Sequence, residues 1–143
     1  LNDPEEEHDC FADNTHNSHY YDGLGIRNVY HGRYVRIDGR VVEGASLSAL
    51  VAAADATVDA QLSVELDATM AALGAIKSTA EAGMSYDQML DPNNEAGGEL
   101  ITTAVDALVT QTRSIERAVA ALNLDAIEFE GSDSLDNPNA VFQ

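Results

Sequence analysis

Two long stretches of this chain place their large apolar residues on a single helical stripe. Val58, Leu62, Leu66, Met70, Leu73 and Ile76 recur at steps of four and three, and Ile101, Val105, Leu108, Ile115, Val119 and Leu122 form a second such series. A one-sided helix must bury its stripe against another element, so a chain built this way packs helix on helix. The spacing predicts long helices over residues 55–82 and 99–122. A third is expected over 11–30 and short ones near 46–53 and 86–90. The side chains agree with that: 45% of the residues are apolar, but there are three Phe and no Trp, and small residues suit closely packed helices better than a β-sandwich. The expected fold class is therefore all-α, a helical bundle forming one domain over residues 1–143. Three one-sided helices do not close a four-helix bundle, and their stripes want a fourth.

Local punctuation refines the picture. Asp13 or Asn14 can cap the first helix by accepting from an open backbone N–H. Gly23 and Gly25 weaken its middle by up to about 1 kcal/mol each relative to alanine, which marks a place where another backbone or a ligand comes close. Gly32 ends it. Alternating residues flank Asp38-Gly39 and predict a small β-hairpin near residues 34–42, with positive φ at both turn residues. Ser46 can cap the short helix that follows, Gly83 stops the second long helix, and Asn123 can cap the end of the third. Residues 91–98 read as a loop by composition, and 131–143 as a polar tail.

Twenty-five acidic residues oppose seven basic ones, a formal charge of −18. Such a surface repels phosphate backbones and anionic headgroups, which argues against nucleic acid and against direct membrane binding. It suits solubility and can also attract cations. No apolar run approaches the roughly 20 residues that span a bilayer. The chain opens at Leu1 in an acidic run without Met, as a piece lacking its N-terminal portion would, so any export signal is expected upstream. Cys10 is the one cysteine. In an exported protein it suggests a disulfide to a cysteine outside this chain, the alternative being a half-buried thiol acting as a small hydrophobe.

Chemistry concentrates before the first helix, in Glu5-Glu6-Glu7-His8-Asp9-Cys10-Phe11-Ala12-Asp13-Asn14-Thr15-His16. With helix from residue 11, Asp13, His16 and Tyr20 share a face at spacings of three and four, and His19 lies at its margin. A carboxylate one turn from an imidazole can bind a divalent metal with it or orient its ring; the simpler alternative is a cap beside a solvated histidine. Asp91-x-Asn93-x-Glu95-x-Gly97 has the oxygen alternation of a calcium loop but lacks glycine at the sixth position and glutamate at the twelfth, where Thr102 stands. Asp133, Asp136 and Asn137 are further oxygen donors without a distinguishing spacing. The sequence holds no phosphate-binding glycine loop, nucleophile elbow or HExxH pattern.

The run from Glu6 to His16, followed by Gly25-Ile26-Arg27-Asn28-Val29-Tyr30-His31-Gly32, then Ser46-Leu47-Ser48-Ala49-Leu50-Val51 and Glu130-Gly131-Ser132-Asp133-Ser134-Leu135-Asp136, resembles the imelysin (M75 peptidase-like) family, in its C-terminal part. The resemblance implies a two-lobed, all-α, exported protein linked to iron or haem uptake, some members being described as metallopeptidases. It implies a periplasmic, outer-membrane-anchored or extracellular location and, as partner, an N-terminal lobe of the same protein. The family's Gly-x-His-x-x-Glu motif belongs to that other lobe, and this sequence contains no copy of it. The family's cleft lies between the lobes. Asp13-Asn14-Thr15-His16 looks like the contribution of this half, with His16 and Asp13 as metal ligands, Asn14, Thr15 and Tyr20 lining the cleft, and iron or zinc as the ion. Three functions are thereby set against one another: a binding module of iron or haem acquisition, one half of a metal-dependent peptidase, and a structural module of a larger extracellular assembly.

Overall fold

The computed structural model describes Pro4 and residues 7–125. In chain order it has a 3₁₀ turn (Cys10–Ala12), α1 (Thr15–His31), β1 (Arg33–Val35), β2 (Val41–Glu43), α2 (Leu47–Ala54), α3 (Ala56–Glu81), α4 (Tyr86–Leu90) and α5 (Glu95–Ala121). The mostly helical bundle with one small hairpin is the architecture the periodicity predicts.

Helix α3 is the centre, with α1, α2 and α5 all packed on it. Its start is fixed by Asp55, whose Oδ1 accepts from the N–H groups of Thr57 and Val58 at 2.9 and 3.2 Å. It ends as expected at Gly83, which takes φ 111, while the N–H of Met84 reaches back to Thr79 O. The predicted stripe is the buried face: Leu62, Leu66, Leu73 and Ile76 are all in the core. Facing them, α5 buries Ile101 but otherwise small or polar residues, namely Ala104, Gln111, Ser114 and Ala118. Its bulkier Val105 is exposed. The small side chains form the seam against α3, and the large ones predicted to fill it sit at its margin.

The core is divided along its length. One cluster holds Leu73, Ile76, Tyr86, Met89, Leu90, Ile101 and Ala104; the other holds Tyr30, Val51, Leu62, Leu66 and Ala118. Thr69, Gln111 and Ser114 are also fully buried, at sequence positions between the two clusters. Helix α3 is thus antiparallel to α5. Between α1 and α5, with α3 as its floor, runs an apolar groove lined by Ile26, Tyr30, Leu62, Leu66 and Ile115 at one end and by His19, Leu73, Ile76, Ile101 and Leu108 at the other.

Three expected details differ. Helix α1 begins at Thr15, because Cys10–Ala12 winds into a 3₁₀ turn that Asp13 ends in left-handed geometry (φ 47). Helix α5 begins at Glu95, so the second half of the predicted loop is its first turn. Asn94 Oδ1 accepts from Gly97 N–H at 3.0 Å, and Gly97 is helical because α4 comes too close for a side chain. The hairpin turn has three residues: Gly39 N–H donates to Arg36 O and Arg36 N–H to Arg40 O, each at 2.8 Å. Only Gly39 has positive φ there (80°), because Asp38 Oδ1 accepts from Arg40 N–H at 3.1 Å and holds the following backbone. The strands pair antiparallel, with Tyr34 opposite Val42.

A polar tie joins α1, α2 and α3. Asp59 Oδ1 accepts from the Tyr30 hydroxyl at 2.9 Å and from Ser48 Oγ at 2.7 Å. Burial first, then the hydrogen bond and charge of Asp59, push the Tyr30 hydroxyl above its usual pKa range. Asp59→Ala strands the buried Tyr30 hydroxyl and is expected to lower stability by about 2–3 kcal/mol, read as a shift in urea midpoint at constant slope. Asp59→Asn, which keeps an acceptor, should lose less.

Candidate functional site

The segment before α1 folds over the helix start as a strap. Thr15 is fully buried; its Oγ1 donates to Glu7 Oε2 at 3.0 Å and accepts from Asp9 N–H at 2.9 Å. Ser18 Oγ donates to Asp9 Oδ2 at 3.2 Å. Asn14 stands at the cap position, but its Oδ1 accepts from Asn17 Nδ2 at 2.8 Å and not from the helix backbone. Thr15, expected on a cleft wall, is therefore a peg that holds the strap.

His16 is half-buried. The Asn17 amide nitrogen lies 3.1 Å from His16 Nε2. With Asn17 donating to both Asn14 Oδ1 and His16 Nε2, the imidazole proton sits on Nδ1. That Nδ1 is buried and has no hydrogen-bond partner among the described residues, an unsatisfied state that costs free energy. Asp13 is exposed and precedes the helix, so the spacing that would place it on the His16 face does not operate. Tyr20 packs against the core cluster of Leu73 and Ile76, edge-on to Tyr21 at 5.3 Å and with Lys77 Nζ 6.0 Å from its ring centre. Cys10 is exposed in the 3₁₀ turn, not half-buried.

An imidazole nitrogen and a carboxylate are the right donors for a borderline divalent ion. Among the described residues, however, no three His, Cys, Asp or Glu side chains converge to hold one. His16 and Asp13 can offer part of a coordination shell, and His16 only with the proton moved to Nε2. The loop resembling a calcium site uses its oxygens internally: Asp91 Oδ1 accepts from Asn93 N–H and Nδ2 at 2.7 and 3.0 Å. Asp133, Asp136 and Asn137 lie outside the described residues.

The Imelysin (Peptidase M75) family model matches residues 1–115. The chain belongs to the imelysin family. The matched stretch includes the strap, α1, the hairpin, α2, α3, α4 and most of α5; the quoted run from Glu130 to Asp136 lies beyond it and outside the described residues. No curated protein matches the chain. Membership supports an iron-related or peptidase-like character. Among the described residues no helix is long and apolar enough to cross a membrane.

Residue spacing did not bring out one cluster in this imelysin chain. The His8 and His19 rings lie 5.6 Å apart, centre to centre, and His19 meets Tyr86 of α4 edge-on at 5.6 Å. Burial, then the neighbouring His8, lower the pKa of His19, while Asp22 acts the other way. Burial, then Glu7, raise that of Tyr86. The only hint in the sequence was His19 at the margin of the His16 face.

Of the two glycines in α1, Gly23 marks a close approach of a side chain and not of another backbone: a Cβ there would meet Leu73 Cδ1 at 2.5 Å. Gly25 has open space, at the groove.

Proposed function

We propose that this chain is a helical part of an exported binding module of iron or haem acquisition, its ligand cleft closed by a further lobe over the α1 start. The observation that carries this reading is the buried Nδ1 of His16, which has no hydrogen-bond partner among the described residues and lies within the family-matched segment. The open apolar groove between α1 and α5 supports it as a surface that a covering lobe would bury, at roughly 25 cal/mol per Å². In this reading His16 and Asp13 contribute to a site for iron or zinc that other residues complete, and the protein works in the periplasm, on the outer membrane or outside the cell.

The family's peptidase name supports a second reading, in which the same region flanks a metal-dependent hydrolytic centre. Titration of the whole protein with Fe(II), Zn(II) and haemin, followed by calorimetry and absorbance, tests the first. Saturable one-to-one uptake of any of them is the expected result. No uptake of all three at micromolar concentration would leave a structural module. Peptide hydrolysis abolished by a chelator would move the assignment to the peptidase.

A further inference from the structure

The His8–His19–Tyr86 contact lies where the strap crosses from the start of α1 towards α4, and it sets two imidazole rings against one another. We propose that residues 7–14 form a pH-sensitive latch, seated on α1 and α4 while the His8 and His19 rings are neutral and lifted once both are charged.

Among the described residues the seating contacts include Thr15 Oγ1 with Glu7 and Asp9, Ser18 with Asp9, the bond from Asn14 N–H to Asp9 O at 3.4 Å, Asn14 O accepting from the Asn17 and Ser18 N–H groups, and the ring contact of His8 on His19. Phe11, the one large apolar side chain of the 3₁₀ turn, is fully exposed. The strap therefore brings little apolar burial to its own support, and local opening of such a segment costs far less than global unfolding.

The charges around the pair determine how it responds to protons. Glu7 on the strap and Asp22 on α1 can attract one imidazolium. Tyr86 on α4 is uncharged at neutral pH, its hydroxyl pushed further from ionising by burial and by Glu7. At the cavity beneath His19, α3 and α5 present only apolar residues, among them Leu73, Ile76, Ile101 and Leu108. One proton can be accommodated; a second places two like charges 5.6 Å apart, with Asp22 the one carboxylate among the residues lining the cavity beneath His19.

The direction follows from linkage. Seated, His19 is held below the usual histidine range by burial and by His8. The open form takes up the proton more readily, so the seated form is favoured above about 6.5 and loses ground as pH falls below it. Lifting would uncover Thr15 and His16 at the α1 start. The latch does not depend on any metal being bound there.

Hydrogen exchange of the whole chain, followed residue by residue and corrected for intrinsic exchange, tests this. Between pH 7.5 and 5.5 the protection of the Asp9 and Asn14 amides should fall by about 3-fold or more, because the open form takes up the His19 proton more readily. Protection of Ile76, in the α3 core, should stay constant. In His19→Gln the fall at Asp9 and Asn14 should vanish, and in His8→Gln it should shrink, because burial alone still lowers the His19 pKa. Because the His8 ring is exposed, His8→Gln leaves the core intact even if His19→Gln does not. An unchanged fall in His8→Gln, a flat profile in the parent chain, or an equal loss at Ile76 would each overturn the latch.

Discussion

Gly97→Ala is expected to destabilise this chain by about 2–3 kcal/mol, the cost of forcing a methyl group into a filled space, although alanine is the better helix former. A Cβ at position 97 would lie 2.5 Å from Met89 Cα, 2.7 Å from Met89 O and 2.9 Å from Asn94 Nδ2. Two of those atoms are backbone and cannot rotate away, so α4 must move off α5. Met89 is completely buried and Tyr86 and Leu90 nearly so, which makes that movement a disruption of one core cluster. Asn94 is held too: its Nδ2 donates to Gln88 O at 2.7 Å while its Oδ1 caps α5. Gly98→Ala is the internal control. It stands one residue on in the same turn with no atom within 4 Å, and should stabilise by about 0.8–1 kcal/mol through helix propensity alone. Urea denaturation of the two variants should therefore give opposite signs. The same sign for both would mean that the α4–α5 contact does not constrain this position.

That glycine also explains where the sequence misled. Asp91-Pro92-Asn93-Asn94-Glu95-Ala96-Gly97-Gly98 has loop composition, and adjacent glycines are a poor start for a helix. The deciding fact is a tertiary one, the proximity of Met89, and no local pattern carries it. The α3 stripe was legible because each of its buried positions is a large apolar residue at helical spacing. On α5 the seam is built of Ala104, Gln111, Ser114 and Ala118, which a search for large apolar residues passes over. Close helix packing selects small side chains for the contact and leaves Val105 and Val109 exposed. The hairpin was legible in place but not in turn type, because the Asp38 side chain holds the backbone of Arg40.

The candidate site was legible only in its residues. Helical spacing from residue 11 would have aligned Asp13, His16 and Tyr20, but the 3₁₀ turn breaks that register before Thr15. Tyr20 then belongs to the core and Asp13 to the surface. The Tyr30–Asp59–Ser48 tie spans 29 and 11 residues of sequence, and the His19–Tyr86 contact joins α1 to α4. Pairings at such separations exist only once the helices are packed.

His16→Ala is expected to weaken metal binding by the whole protein by about 10- to 100-fold, the range for an auxiliary ligand or a residue that orients one, with little change in thermal midpoint. The small effect on folding follows from the contacts of His16: among the described residues its Nδ1 has no hydrogen-bond partner and its Nε2 meets the Asn17 amide. The same geometry supplies a second variant. With Asn17 donating to Nε2, Nδ1 carries the proton and cannot ligate. An acceptor at position 17 would favour the Nε2–H tautomer and leave the Nδ1 lone pair for a metal. Asn17→Asp is such a change, and the added carboxylate also favours a cation, so it should bind at least as tightly as the parent. Calorimetry at neutral pH on the parent and both variants gives the ordering Asn17→Asp, parent, His16→Ala from tightest to weakest. If His16→Ala binds as the parent does, His16 is not part of the site. If Asn17→Asp is the weakest instead, the His16 Nδ1–H donates to an acceptor on the bound ligand, and no metal bonds to that nitrogen.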